Sequence, residues 1–173
     1  MDSLIYGAQM NPKQLWIMLD VETTGPDYAR HSLTEIGVAA GSAAEGVLGR
    51  FEVLLKPVSD AVQASPESYA RALKEGVEPA EGMSSFEAWC KPWQERKALF
   101  VARPAAFDWP WIVAYSWRFL KRNPFGFKAV CASSWFQALG KTFHVELPHV
   151  AVEDAEIQLK HFLAEGQLQA PSR

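Results

Sequence analysis

Cysteine is scarce in this chain: two residues, Cys90 and Cys131, in 173, with no C-x-x-C spacing. They read as reduced core thiols and set the expected location as cytoplasmic. Long apolar runs are absent too. The most aromatic stretch is broken by Asp108, Pro110 and Arg118, so nothing approaches the roughly 20 residues of a membrane helix, and no membrane partner is expected. Met1 to Pro12 lacks the basic start and apolar centre of a secretory signal. Repeats, linkers and low-complexity tracts are also missing, so residues 1–173 are expected to form a single domain with its core at about 15–165. Nor is there a surplus of positive charge. The formal net charge is −3, which excludes binding nucleic acid by bulk electrostatics alone.

The composition otherwise suits a globular protein, with 49% hydrophobic and 21% charged residues and seven Trp. The charge is uneven. Between Arg103 and Lys128 lie five basic residues and one acid, Asp108, leaving the rest of the chain clearly acidic. A phosphodiester would fit such a chain only where bound cations offset its acids.

Leu15 to Val21 reads as a buried strand that ends in Asp20-Val-Glu22-Thr-Thr-Gly25. Side chains alternate along a strand, so Asp20 and Glu22 share a face about 7 Å apart. Two carboxylates so placed suit a hard divalent cation. Alone, the pair is equally a solvated strand end. Further strands are predicted at Ser32–Ala40, Val47–Lys56, Ala98–Ala102 and Phe127–Cys131, the first three strands forming an antiparallel meander. Helices are predicted at Ala64–Glu75, from a Ser84/Glu87 capping box to Arg96, from Pro104 to Arg122 with a break at Pro110, at Ser133–Leu139, and at Val150–Leu163. Three strands followed by alternating helices and strands give an α/β fold with a mixed five-stranded sheet flanked by helices.

Two later motifs supply more acids. Asp108 follows the fourth strand, where open α/β sheets place their sites, although an Asp there also serves as a helix cap. His149 stands five residues before Asp154 at the start of the last helix. Glu153 competes with Asp154 as ligand, and His144 with His149 as base. The aromatics Trp109, Trp111, Tyr115, Trp117, Phe119 and Phe125 are mostly core, with Trp109, beside Asp108, the best candidate to stack a base. Arg118, Lys121 and Arg122 form a basic helix end suited equally to phosphates and to the helix dipole.

Together, Asp20-x-Glu22, Phe107-Asp108 and His149-x-x-x-x-Asp154 resemble, in order and spacing, the three motifs of the His-containing branch of the DEDD superfamily of 3′-to-5′ exonucleases. That branch includes the polymerase III proofreading subunit, ribonuclease T and oligoribonuclease. The resemblance spans about residues 15–165. It implies a ribonuclease H-like exonuclease domain with two Mg²⁺ or Mn²⁺ ions held by Asp20, Glu22, Asp108 and Asp154, and His149 as general base. It further implies that Thr23 and Thr24 touch the terminal nucleotide, and that the substrate is the 3′ end of single-stranded DNA or RNA. A second copy of the chain or a polymerase are the partners it leaves open. Departures fall in substrate-reading elements: Pro26 stands where relatives carry Leu or Met, and Arg103-Pro-Ala where they carry His-Asn-Ala. The competing reading is a catalytically silent nucleic-acid-binding subunit on the same fold.

Overall fold

A computed structural model describes residues 11–166; the N-terminal stretch to Met10 therefore lies outside the described residues. Its sheet has the order β3-β2-β1-β4-β5. The central strand β1 (Trp16–Thr23) pairs antiparallel with β2 (Leu33–Ser42), which pairs antiparallel with β3 (Gly46–Leu54). On its other side β1 pairs parallel with β4 (Leu99–Ala102), and β4 with β5 (Val130–Cys131). The expected meander and mixed sheet are both present.

The alternation along β1 distributes its residues between two cores. Ile17, Leu19 and Val21 face a layer built with Met83, Phe86 and Cys90 of α2 (Pro79–Glu95) and Trp111, Ile112 and Tyr115 of α3 (Ala105–Tyr115). Trp16 and Met18 face the opposite layer, with Phe136 of α4 (Ala132–Ala138) and Ala155, Leu159 and Phe162 of α5 (Ala151–Glu165). Continuing that period puts Asp20 and Glu22 on the α5 face. On β2, Ile36 and Val38 belong to the first layer and Ala39 to the second, so Glu35 and Gly37 look toward α5 as well.

Gly37 is required by this contact. A Cβ there would fall inside contact distance of the Ala151 carbonyl carbon and the Val152 nitrogen. The first turn of α5 thus rests directly on β2. Gly37→Ala should displace that turn, at a cost of about 1–3 kcal/mol typical of overpacking, and should depress activity more than a substitution of equal cost in the α2 layer. A urea titration paired with a rate measurement would show it.

Three predicted elements are corrected. The second long helix begins at Pro79, not Ser84, because Pro at the first helical position starts it one turn earlier. Ser84 Oγ donates back to the Ala80 carbonyl, 2.8 Å, and Glu87 is occupied by Arg122, so the capping box does not form. The helix of Asp108 runs through Pro110 to Tyr115 and then widens into a π-helical turn, Ser116–Leu120. Burial of Trp109, Trp111 and Ile112 on both sides of the proline holds it together. The fifth strand is only Val130–Cys131; Phe127 is 74% exposed. Among the described residues no helix is long and apolar enough to cross a membrane.

Candidate active site

Three elements meet at the carboxyl end of β1. β1 brings Asp20 and Glu22, the first turn of α3 brings Asp108, and α5 with the residue two before it brings Asp154 and His149. Asp20, Asp108 and Asp154 are buried, Asp108 only 3% exposed, whereas Glu22 is half-buried and His149 exposed at the rim. One ligand atom each of Glu22, His149 and Asp154 lies within 4.8 Å of the others. The alternatives at the third motif are thereby separated. Glu153 points to solvent, and His144 is absent from this cluster.

The electrostatics of the cluster are unfavourable for bare carboxylates. Burial pushes Asp20 well above the usual carboxylate range, and the charges of Asp108 and Asp154 push it further. Burial likewise raises Asp108 to about 8. Glu22 and Asp154 are raised by the same cause, with the nearby His149 acting against it in both. Asp108 Oδ2 and Asp154 Oδ1 are buried without any hydrogen-bond partner. Among the described residues no Lys or Arg forms an ion pair with any of the four acids. Buried carboxylate oxygens left without a partner fit a hard divalent cation, which takes oxygen ligands and removes the repulsion.

Two supporting side chains went unforeseen. Gln158 Nε2 donates to Asp20 Oδ1, 2.7 Å, and Ser65 Oγ donates to Glu22 Oε2, 3.1 Å. Gln158 sits one turn after Asp154 within the buried stripe of α5, so a fully buried amide on an apolar face was the readable signal. Ser65 precedes Pro66 at the head of α1 (Pro66–Glu75) with φ 51, and nothing in the sequence connects it to Glu22. A groove of about 460 Å³ runs from Glu22 between Ser65–Ser68 and Pro148–His149.

The proposed nucleotide contacts fare differently. Trp109 is corrected. It is 7% exposed and packs on Phe100 at 4.8 Å between ring centroids, so its faces are consumed by the core and no base can stack there. Thr23 Oγ1 donates to the Gly25 carbonyl. Thr24 exchanges bonds with Ser32 through both its amide and its hydroxyl, and its carbonyl accepts from Gln63 and Ala64. Both threonines thus spend their hydrogen bonds on shaping the loop after β1. The ring of His31 fills the space beside Gly25, which is why glycine is needed there. The basic helix end is used internally. Lys121 Nζ donates to the Arg118 carbonyl, and Arg122 grips Glu87 through both carboxylate oxygens.

Residues 17–162 match the RNase T family, described as exonuclease. The chain belongs to that family. Its members are DEDD-type 3′-to-5′ exonucleases, enzymes that depend on a divalent metal. The chain is 30% identical over 131 residues to the 3′-5′ DNA exonuclease Cap18 of Escherichia coli, covering 72% of this chain and 68% of that protein. The fold is ribonuclease H-like. It is similar to E. coli exonuclease I in complex with a dA16 oligonucleotide, with a TM-score of 0.61 at 14% identity over 87% of this chain and 41% of the other. It is similar also to exonuclease I from Methylocaldum szegediense, with a TM-score of 0.60 at 14% identity over 87% of this chain and 39% of the other. The chain spans between 24% and 42% of the length of the exonuclease I chains it matches.

Proposed function

We propose that this exonuclease removes nucleotides one at a time from the 3′ end of single-stranded DNA, with Asp20, Glu22, Asp108 and Asp154 holding two Mg²⁺ or Mn²⁺ ions and His149 serving as general base. The observation that carries this reading is the convergence of four carboxylates, two of them with an orphaned buried oxygen, and no Lys or Arg among the described residues paired to any of them. When bound, the ions supply the Lewis acidity and positive charge that a phosphodiester displacement needs.

The chain's own residues do the rest. Gln158 and Ser65 fix the oxygens of Asp20 and Glu22 that they touch, which orients both carboxylates and leaves the other oxygen of each available to an ion. His149, exposed at the rim yet beside Glu22 and Asp154, is placed to take a proton from a water entering from solvent. As the water oxygen bonds to phosphorus, the bond to the 3′ oxygen of the penultimate nucleotide breaks. That oxygen leaves with a proton, and the product is a 5′-nucleoside monophosphate. The groove between Ser65–Ser68 and His149 is the open approach to Glu22 and suits a single strand.

DNA is favoured over RNA because Cap18 is a DNA exonuclease and exonuclease I holds DNA oligonucleotides. A reducing, cytoplasmic setting accords with two free thiols, Cys90 buried and Cys131 half-buried. Incubating a 5′-labelled DNA oligonucleotide with Mg²⁺ should give a ladder shortening from the 3′ end, halted by chelator, with matched RNA degraded more slowly. An intact band with both Mg²⁺ and Mn²⁺ would sink the proposal in favour of a silent binding subunit.

A further inference from the structure

One buried carboxylate on the α5 face of the sheet takes no part in the acid cluster. Glu35, 2% exposed, stands directly opposite Glu22 in the β1–β2 register. Its Oε1 accepts the backbone N–H of Ala151, 2.9 Å, and its Oε2 receives Arg71 Nη1, 3.3 Å. We infer that Glu35 and Arg71 form a strap between α5 and α1 that sets the position of His149 and Asp154 relative to Glu22, making Glu35 a positioning residue for the hydrolytic site.

The first contact substitutes for something α5 lacks. Its N-cap, Val150, offers no side-chain acceptor, so the leading N–H groups of the helix need one from elsewhere. Glu35 provides it from β2; burial raises its carboxyl to about 7, and the ionised form faces the positive end of the helix. Ala151 lies two residues after His149 and three before Asp154, so anchoring its amide fixes both. His149 itself sits at φ 61, a conformation that a non-glycine residue keeps only where its surroundings enforce it. The adjacent Gly37 lets the helix touch the strand, but a contact without a side chain leaves sliding along β2 unopposed.

The second contact reaches α1. Arg71 also pairs with Glu52 of β3, 2.8 Å, and with Glu75 one turn on, 3.8 Å, so its guanidinium is held from three sides. Three residues before it is Ser68 of α1, and six before it is Ser65 at the helix entrance; Ser68 bonds to Thr34 on β2, and Ser65 to Glu22. The same turn forms one wall of the groove whose other wall is Pro148 and His149. Glu35 therefore links the segments that carry the two walls, through Ala151 on one side and Arg71 on the other.

This inference rests on the exonuclease reading for its rate arm and is independent of it in its second arm. Glu35→Gln keeps an acceptor for the Ala151 N–H and loses the charge facing Arg71, whereas Glu35→Ala loses both; Arg71→Met removes the other half of the strap. Losing a hydrogen bond to a charged group and misplacing a reacting group by a fraction of an ångström, Glu35→Ala should lower kcat at least about 10-fold with KM within about 2-fold. Glu35→Gln should restore most of that loss, with Arg71→Met falling between. Backbone hydrogen exchange over residues 149–154 should speed up at least about 10-fold in Glu35→Ala and little in Glu35→Gln. A folded Glu35→Ala with wild-type kcat and exchange overturns the strap. Should that variant not fold, Arg71→Met with wild-type values in both arms overturns it instead. Faster exchange in a protein whose wild type degrades no DNA would leave the strap standing and refute the exonuclease reading.

Discussion

Asp108→Asn is expected to lower the rate of DNA degradation at least about 100-fold while making the metal-free protein more stable, a combination few substitutions produce. A hundredfold corresponds to about 2.7 kcal/mol of transition-state stabilisation, a modest demand for a residue that would hold a catalytic ion. The gain in stability has a separate origin. Asp108 is buried, carries an oxygen with no partner, and stands near Glu22 and Asp20. A neutral amide of the same shape ends the repulsion and the cost of burying a charge. His149→Ala should match the loss of rate, since general bases contribute about 10²–10⁴-fold, yet should not stabilise, because the exposed imidazole offsets the acids beside it. Single-turnover rates and melting curves in chelator test both, and unchanged turnover in either variant would refute the assignment.

The second large effect is on stability as a function of pH and metal. Asp108 in the folded state titrates at about 8, against about 4 for an unfolded aspartate. Between those values the folded protein holds more protons than the unfolded one, so stability falls as pH rises through that window. Asp20, Glu22 and Asp154 are shifted in the same direction and add to the slope. Without metal the melting temperature should therefore drop between pH 5 and 8 by at least about 5 °C, given about 2–4 °C per kcal/mol for a chain of this size. Mg²⁺ binds the ionised carboxylates. At about 100 times its dissociation constant it adds about 2.7 kcal/mol, so the drop should largely vanish in the presence of Mg²⁺. Asp108→Asn should flatten the metal-free slope. A pH-independent melting temperature in chelator, or no response to millimolar Mg²⁺, would contradict the cluster.

Much of this was legible in the sequence because the signals are local or periodic. The alternation of Leu15 to Val21 foretold both the central strand and the shared face of Asp20 and Glu22. The spacing from His149 to Asp154 foretold a residue at the rim and another one turn inside. What escaped detection depends on contacts between distant segments. Ser65 reaches Glu22 across 43 positions, and Glu35 was indistinguishable from any polar residue on a strand until Ala151 was found over it. Trp109 was misread for a related reason: adjacency to Asp108 along a helix turns the side chain about 100° away, into the core against Phe100. The helix start at Pro79 was missed because a capping box is a pattern of residue types, and Ser84 and Glu87 found other partners.

The hydrogen bond from Gln158 to Asp20 joins residues 138 positions apart. A chain emerging from the ribosome presents β1 first and α5 last among these elements, so Asp20 and Glu22 remain without Asp154, His149 and Gln158 until α5 has been made. The site is thus completed only when α5 docks on a sheet already built.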